Sequence, residues 1–137
     1  MGDSGFQDVK QMKKLLITCL VLISFSSWAG WFNIIKDDKV SISLNDQIPW
    51  QSGNLVRGWT IIDLSTPSDS GVLSYLALDE YDCKEQKSRI IQMTAHSDKQ
   101  AAGRVIEKIP ELDEWDHIPP TGSRKVLIDL FCAMRKK

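Results

Sequence analysis

The feature that most limits how this chain can fold is one amphipathic segment at its C-terminal end, preceded by segments typical of β-strands. From Thr121 to Lys137, five apolar residues recur at helical spacing: Val126, Leu127, Leu130, Phe131 and Met134. Ser123 can cap the first turn, and Pro119-Pro120 prevents a helix from beginning earlier. We therefore predict one C-terminal helix with a wide apolar stripe.

The chain before this helix consists of short β-rich runs separated by turns. Val40, Ile42 and Leu44 alternate with polar residues, a period of two that is typical of a half-buried strand. Strands are predicted at 31–36, 40–45, 55–64, 73–83, 89–95 and 103–109, with irregular chain at 45–54, 65–71 and 110–120. Strands followed by one helix indicate the α+β class: an antiparallel sheet of about five or six strands with the C-terminal helix packed on one face.

The N-terminal region has the pattern of an export signal. Lys13-Lys14 precedes an apolar run at 15–25, and the small residues Ser27 and Ala29 follow it. Together they predict a signal peptide over 1–29, cleaved after Ala29. A membrane anchor or a buried helix is the alternative, but the apolar run is shorter than the roughly 20 residues that a membrane span needs.

The limits of the exported domain follow from that signal. Translation is expected to start at Met12, because residues 1–11 do not resemble a basic n-region. Cys19 follows Thr18 inside the apolar run, so we predict no lipid anchor and expect this cysteine to be removed on cleavage. Residues 30–137 are then expected to form a single domain with no stable membrane span.

Two cysteines remain in the exported chain, Cys83 and Cys132. An even number in an oxidising compartment predicts a disulfide, and two free buried thiols are the alternative. Because Cys83 ends a predicted strand and Cys132 lies near the end of the predicted helix, the bond would tether the helix to the sheet.

Charge and motifs argue against several functions. The formal net charge of −1 gives no basic field that would attract nucleic acid. His96 and His117 are the two histidines, and the chain has no Gly-x-Ser-x-Gly motif. Because the predicted disulfide also uses both thiols, we predict neither an enzyme nor a cofactor.

An acidic segment at 111–117 offers a second hypothesis. Its residue types suit a metal ion: Glu111, Asp113, Glu114, Asp116 and His117. Their spacing matches no known metal loop, and carboxylates are common in solvated loops, so no metal site is predicted. A small periplasmic enzyme or metal-binding protein that uses this loop remains the alternative function.

Tryptophans and basic residues supply the candidate binding residues. Four of the tryptophans lie beyond the predicted signal peptide, and packing in the core or at strand edges is one interpretation of them. The other is a binding face, for which Trp50 is the one expected to be exposed, because its loop is polar. Lys84, Lys87 and Arg89 can bind an acidic partner; the alternative is a solvated turn and strand face.

The order of several short motifs resembles the surface-adhesin protein E family over residues 31–134. The motifs are Trp59-Thr60-Ile61-Ile62-Asp63, Tyr81-Asp82-Cys83, Lys87-Ser88-Arg89, Trp115 with Ile118-Pro119, and a Ser-led helix that carries Cys132. The resemblance implies a curved antiparallel sheet, a helix tethered to it by the disulfide, and adhesion to host surface proteins. We therefore expect a non-catalytic, adhesin-like binding module of the cell envelope. Its expected partner is a protein such as a host surface or matrix protein, and a homodimer, a periplasmic location and a cell-surface location all stay open.

Overall fold

The computed structural model describes residues 30–136; the predicted signal peptide, with Met12 and Cys19, lies outside the described residues, as does Lys137. In the described part, the chain forms strands β1 (Trp31–Lys36), β2 (Val40–Asn45), β3 (Trp50–Ser52), β4 (Leu55–Leu64), β5 (Ser74–Asp82), β6 (Lys87–His96), β7 (Val105–Ile109) and β8 (Asp116–His117), followed by helix α1 (Ser123–Met134). Between residues 30 and 136, no helix has the length and apolar character needed to cross a membrane.

All eight strands belong to one antiparallel sheet, in which the main path runs β1-β2-β4-β5-β6-β7. The predicted α+β class is confirmed, and the six strands of the main path are the six that the sequence predicted. The short strands β3 and β8 pair with β4 and β6 inside segments that the sequence analysis assigned as irregular. Strands of three and two residues are too short for an alternating pattern to reveal them.

Pairing between β4 and β5 defines the two faces of the sheet. Val56 pairs with Tyr81 and packs in the core beneath α1, so this side is the helix face. Arg57 pairs with Glu80 on the opposite side, which we call the outer face. Register shifts interrupt the pairing of β1 with β2, of β5 with β6 and of β6 with β7. Bulges of this kind bend the strands that contain them.

Helix α1 is held on the sheet by three fully or nearly buried side chains, Leu127, Ile128 and Phe131. The Phe131 ring stacks on the ring of Tyr81, with 5.3 Å between the centroids. The same ring lies so close to Gly58 that a Cβ atom there would overlap it. The absence of a side chain at Gly58 therefore lets the helix pack directly on the backbone of β4.

Two details of the predicted helix are wrong. Leu130 is 37% exposed and Val126 is 40% exposed, whereas Ile128, which the predicted stripe omitted, is completely buried. Ser123 does not cap the helix either: Gly122 is the N-cap residue, and no side chain caps the first turn. Gly122 has a φ of 101°, which is not helical and which glycine adopts without strain. The helix therefore begins at the next residue, Ser123, which cannot be its own N-cap.

The predicted disulfide between Cys83 and Cys132 is confirmed, with 5.9 Å between the Cα atoms. It joins the residue after β5 to the last turn of α1. Next to the bond, Gln51 Nε2 donates a hydrogen bond to the carbonyl oxygen of Lys136 (2.6 Å), and Lys136 N donates one to Gln51 Oε1 (2.9 Å). The C-terminal end of the helix is therefore fixed to both β5 and β3.

Candidate binding surface

A row of aromatic and charged side chains crosses the outer face. Trp50 of β3 pairs with Arg57 of β4, Arg57 pairs with Glu80 of β5, and Glu80 pairs with Arg89 of β6. Residues that pair directly across an antiparallel sheet project from the same face, so these four side chains are neighbours. Trp115, which lies just before β8, extends the row beyond Arg89. We call these five residues the Trp–Arg row.

Glu80 is the buried centre of this row. It is 1% exposed, and its Oε2 atom lies 2.7 Å from both Nε and Nη2 of Arg89 and 3.8 Å from Nη2 of Arg57. A carboxylate can be buried in this way because charge-assisted hydrogen bonds replace its hydration. Glu80 therefore holds the guanidinium of Arg89 at hydrogen-bond distance and lies within ion-pair distance of Arg57.

Indole rings contact the same two arginines. The Arg57 guanidinium lies 4.5 Å from the centroid of the Trp50 ring, and that of Arg89 lies 5.0 Å from the Trp115 ring. Lys87 Nζ lies 5.5 Å from the Trp115 ring. Cation–π contacts at this distance are favourable by about 0.5–2 kcal/mol each, depending on how far they are shielded from water. The row thus consists of a central carboxylate, a guanidinium on each side of it and an indole ring at each end.

Two carboxylates of the acidic segment border the row. Glu111 Oε1 lies 3.5 Å from Nη1 of Arg89, and Asp113 Oδ1 lies 3.9 Å from the same atom. Both carboxylates are largely exposed, so these pairs contribute little to stability. Among residues 30–136, no three histidine, cysteine or carboxylate side chains form a cluster that could hold a metal ion. His96 ends β6 and His117 pairs with Lys87 at its start, so the histidines lie at opposite ends of that strand.

The structure gives each predicted binding residue a definite place. Trp50 is 37% exposed, as the sequence predicted, although it belongs to a short strand. Lys87 and Arg89 project from the outer face and share the Trp115 ring. Lys84 is exposed in the turn between β5 and β6, where its backbone N donates a hydrogen bond to the side chain of Asp82. Trp50, Lys87 and Arg89 are thus on the outer face. Lys84 lies in the turn that joins β5 to β6.

Two central members of the row, Arg57 and Glu80, were not predicted. Each is a single charged residue within a strand, which the sequence alone does not distinguish from a solvated position. A charged residue in each of three strands is informative only when the register places them opposite one another. Trp31 was not predicted to be exposed either, yet 39% of its surface is accessible.

Comparison with known proteins gives one match. The family model described as surface-adhesin protein E matches residues 31–133, which include all the strands and most of the helix described above. No curated protein and no solved structure matches the chain.

Proposed function

Because the chain belongs to the surface-adhesin protein E family, we propose that it is a non-catalytic, exported protein of the cell envelope that binds a protein partner through the Trp–Arg row. Host surface and matrix proteins are the proposed class of partner. The observation that carries this proposal is the row itself, in which arginine–indole contacts are built on one buried carboxylate.

The residue types in the row support a protein partner. Tryptophan and arginine are enriched among the residues that contribute most to protein–protein affinity. Trp50 keeps 37% of its surface accessible while Arg57 lies against its ring. A side chain that is already ordered before binding loses less conformational entropy in the complex. The row therefore suits an anchor that inserts into, or stacks on, a partner's surface.

The basic residues of the outer face support a partner that contributes carboxylates, although Glu111 and Asp113 lie along one side of Arg89. Lys84 is exposed, and Lys87 and Arg89 are partly exposed around the Trp115 ring. Glu80 neutralises part of the arginine charge, but it is buried below the surface that a partner would contact. We infer that a partner contributes carboxylates at the edge of the contact and an apolar group at Trp50. Charges at such an edge mainly affect the association rate and its dependence on salt.

The alternative function, in which the 111–117 segment is catalytic or binds metal, has less support. Two of its four carboxylates, Glu111 and Asp113, lie along Arg89. Within residues 30–136, its acidic residues and His117 form no cluster that could hold a metal ion. The proposal includes the export signal at 1–29. It covers a location in the periplasm as well as one at the cell surface.

A binding assay with paired charge-reversal variants tests the proposal. The full chain, expressed with its own N-terminal region, is passed over immobilised host surface and matrix proteins at low and at physiological salt. The variant Lys84→Glu/Lys87→Glu should bind at least about tenfold more weakly, with a reduced dependence on salt. The control Lys36→Glu/Lys39→Glu reverses two exposed lysines beside the β1–β2 turn and should bind like the wild type. Equal affinity of the two variants, or no binding by the wild type to any member of the panel, would contradict the proposal.

A further inference from the structure

A cavity of about 240 Å³ lies on the helix face, between the sheet, the first turn of α1 and the segment before β8. Most of its wall is apolar and includes Ile42, Ile62, Ile90, Leu112 and Leu127. Its polar lining includes Asp79 from β5, Ser88 from β6 and Arg124 from α1. An apolar cavity with a few polar groups is the usual form of a small-molecule site.

Asp79 is a carboxylate with few partners inside the protein. The Tyr81 hydroxyl donates one hydrogen bond to its Oδ2 atom at 3.4 Å, which is a long contact. No ion pair in the described part of the chain involves Asp79. Burial raises the pKa of Asp79 to about 6, although the hydrogen bond from Tyr81 and the positive charge of Arg124 both act to lower it. The carboxylate therefore has free acceptor capacity toward the cavity.

The two basic groups of the lining differ in their partners. Arg124 Nη2 donates a hydrogen bond to Ser88 Oγ at 2.8 Å, and Arg89 is paired with Glu80. Glu114 and Asp116 are exposed and complete the charged lining. A cationic ligand would meet three carboxylates in the lining, Asp79, Glu114 and Asp116. The two arginines oppose them, but the charge of Arg89 is already paired with Glu80, so the lining as a whole favours a cation over an anion.

We propose that this cavity binds a small organic cation, namely a primary amine on a compact apolar body, with the ammonium group bound by the Asp79 carboxylate. A dry cavity of about 150 Å³ is large enough for benzene, so the larger volume here suits an aromatic or cyclic body with a short aminoalkyl arm. Asp79 and Glu80 are adjacent in β5 and face opposite sides of the sheet. The proposed ammonium site is therefore on the opposite face from the Trp–Arg row, although Arg89 of the row also contributes to the cavity lining.

An NMR titration with benzylamine and its uncharged analogue benzyl alcohol tests this proposal. In ¹⁵N–¹H spectra at pH 7.5, benzylamine should cause saturable shifts of the amides of Ala77, Asp79 and Ser88. Benzyl alcohol should bind about tenfold more weakly, because it lacks the charge-assisted hydrogen bond. Asp79→Asn should lower the affinity for benzylamine to that for the alcohol. Lowering the pH through 6 should weaken amine binding to the wild type as Asp79 becomes protonated, while the amine stays charged.

Two further variants keep the test decisive. Ala77→Leu extends a side chain into the cavity and leaves Asp79 in place, so it should abolish binding of both compounds. Asp129→Asn removes an exposed carboxylate of α1 outside the cavity and should bind benzylamine like the wild type. The proposal would be overturned if benzylamine caused no saturable shift in the millimolar range or shifted only amides elsewhere on the surface. It would also be overturned if the Asp79→Asn or Ala77→Leu variant bound benzylamine as tightly as the wild type. A dispersed spectrum shows that a variant is folded. If Asp79→Asn does not fold, the Ala77→Leu variant and the comparison of benzylamine with benzyl alcohol in the wild type test the proposal.

Discussion

At the scale of single residues, Glu80 explains why two arginines on the outer face have fixed positions. Glu80→Gln keeps the shape of the side chain and removes its charge, which leaves Arg89 and Arg57 without their shared carboxylate. Loss of one partner of a buried pair costs about 3–5 kcal/mol, and we expect about 2–3 kcal/mol here because Arg89 retains some solvent contact. Urea unfolding measures the loss, with Glu85→Gln in the exposed turn as the control. A Glu80→Gln variant as stable as that control would show that Glu80 does not hold the row together.

Asp79, on the helix face, predicts a specific dependence of stability on pH. Its pKa in the folded protein, about 6, lies above the ordinary value of 3.8, so the folded state binds this proton more tightly than the unfolded state. The stabilisation by the proton is complete below about pH 4 and is lost as the pH rises through about 6. Asp79→Asn resembles the protonated form. Its free energy of unfolding should therefore exceed that of the wild type by up to about 3 kcal/mol at pH 8. At pH 4 the two values should be similar.

Urea unfolding of both proteins at several pH values measures that difference directly. Other carboxylates also titrate in this range, but they are common to both proteins and cancel in the comparison. A difference that stays constant between pH 4 and pH 8 would mean that Asp79 is solvated like an ordinary surface carboxylate.

At the scale of secondary-structure elements, the position of α1 depends on Phe131 and not on Leu130. Phe131 is completely buried against Tyr81, so Phe131→Ala should lower the free energy of unfolding by about 3–5 kcal/mol. Leu130→Ala, at a position that is 37% exposed, should cost less than about 1 kcal/mol. Thermal melts followed by circular dichroism compare the two variants. Similar melting temperatures would indicate that the helix packs with a different face on the sheet.

The disulfide stabilises the same element from its C-terminal end. It closes a loop with a sequence separation of 49, for which the chain-entropy model gives about 4 kcal/mol of stabilisation. The double variant Cys83→Ser/Cys132→Ser should therefore melt at a much lower temperature but stay folded in the cold, because Leu127, Ile128 and Phe131 remain buried. Reduced wild-type protein serves as the control and should behave like the double variant. Retention of the wild-type melting temperature would contradict this account of the bond.

Comparison of these elements shows what the sequence could predict about the fold. The order of the strands, the C-terminal helix and the cysteine pair were predictable, because alternating patterns, helical spacing and cysteine number are local or countable properties. The buried side of the helix was not, because Leu130 and Ile128 both fit helical spacing. Their difference in burial depends on where the ring of Phe131 meets Gly58, a contact between residues far apart in the chain.

At the scale of the whole molecule, the two faces of one sheet carry different features. The helix face carries the core, the disulfide-tethered helix and the Asp79 cavity, whereas the outer face carries the Trp–Arg row. Trp50, Lys87 and Arg89 could be nominated from the sequence, because exposed tryptophans and clustered basic residues are frequent in binding surfaces. Arg57 and Glu80 could not, because only the pairing of β4, β5 and β6 places them between the two tryptophans.

The central claim, that the Trp–Arg row is the binding surface, is tested most directly by comparing two tryptophans of nearly equal exposure. Trp50 is 37% exposed and belongs to the row, whereas Trp31 is 39% exposed on edge strand β1 and lies outside it. The measurement is the dissociation constant for a host protein that the wild type binds, with thermal melts to show that both variants remain folded. We predict that Trp50→Ala raises the dissociation constant by about thirtyfold, as for an anchor residue, while Trp31→Ala changes it by less than about threefold. Equal effects of the two substitutions, or a larger effect of Trp31→Ala, would contradict the claim.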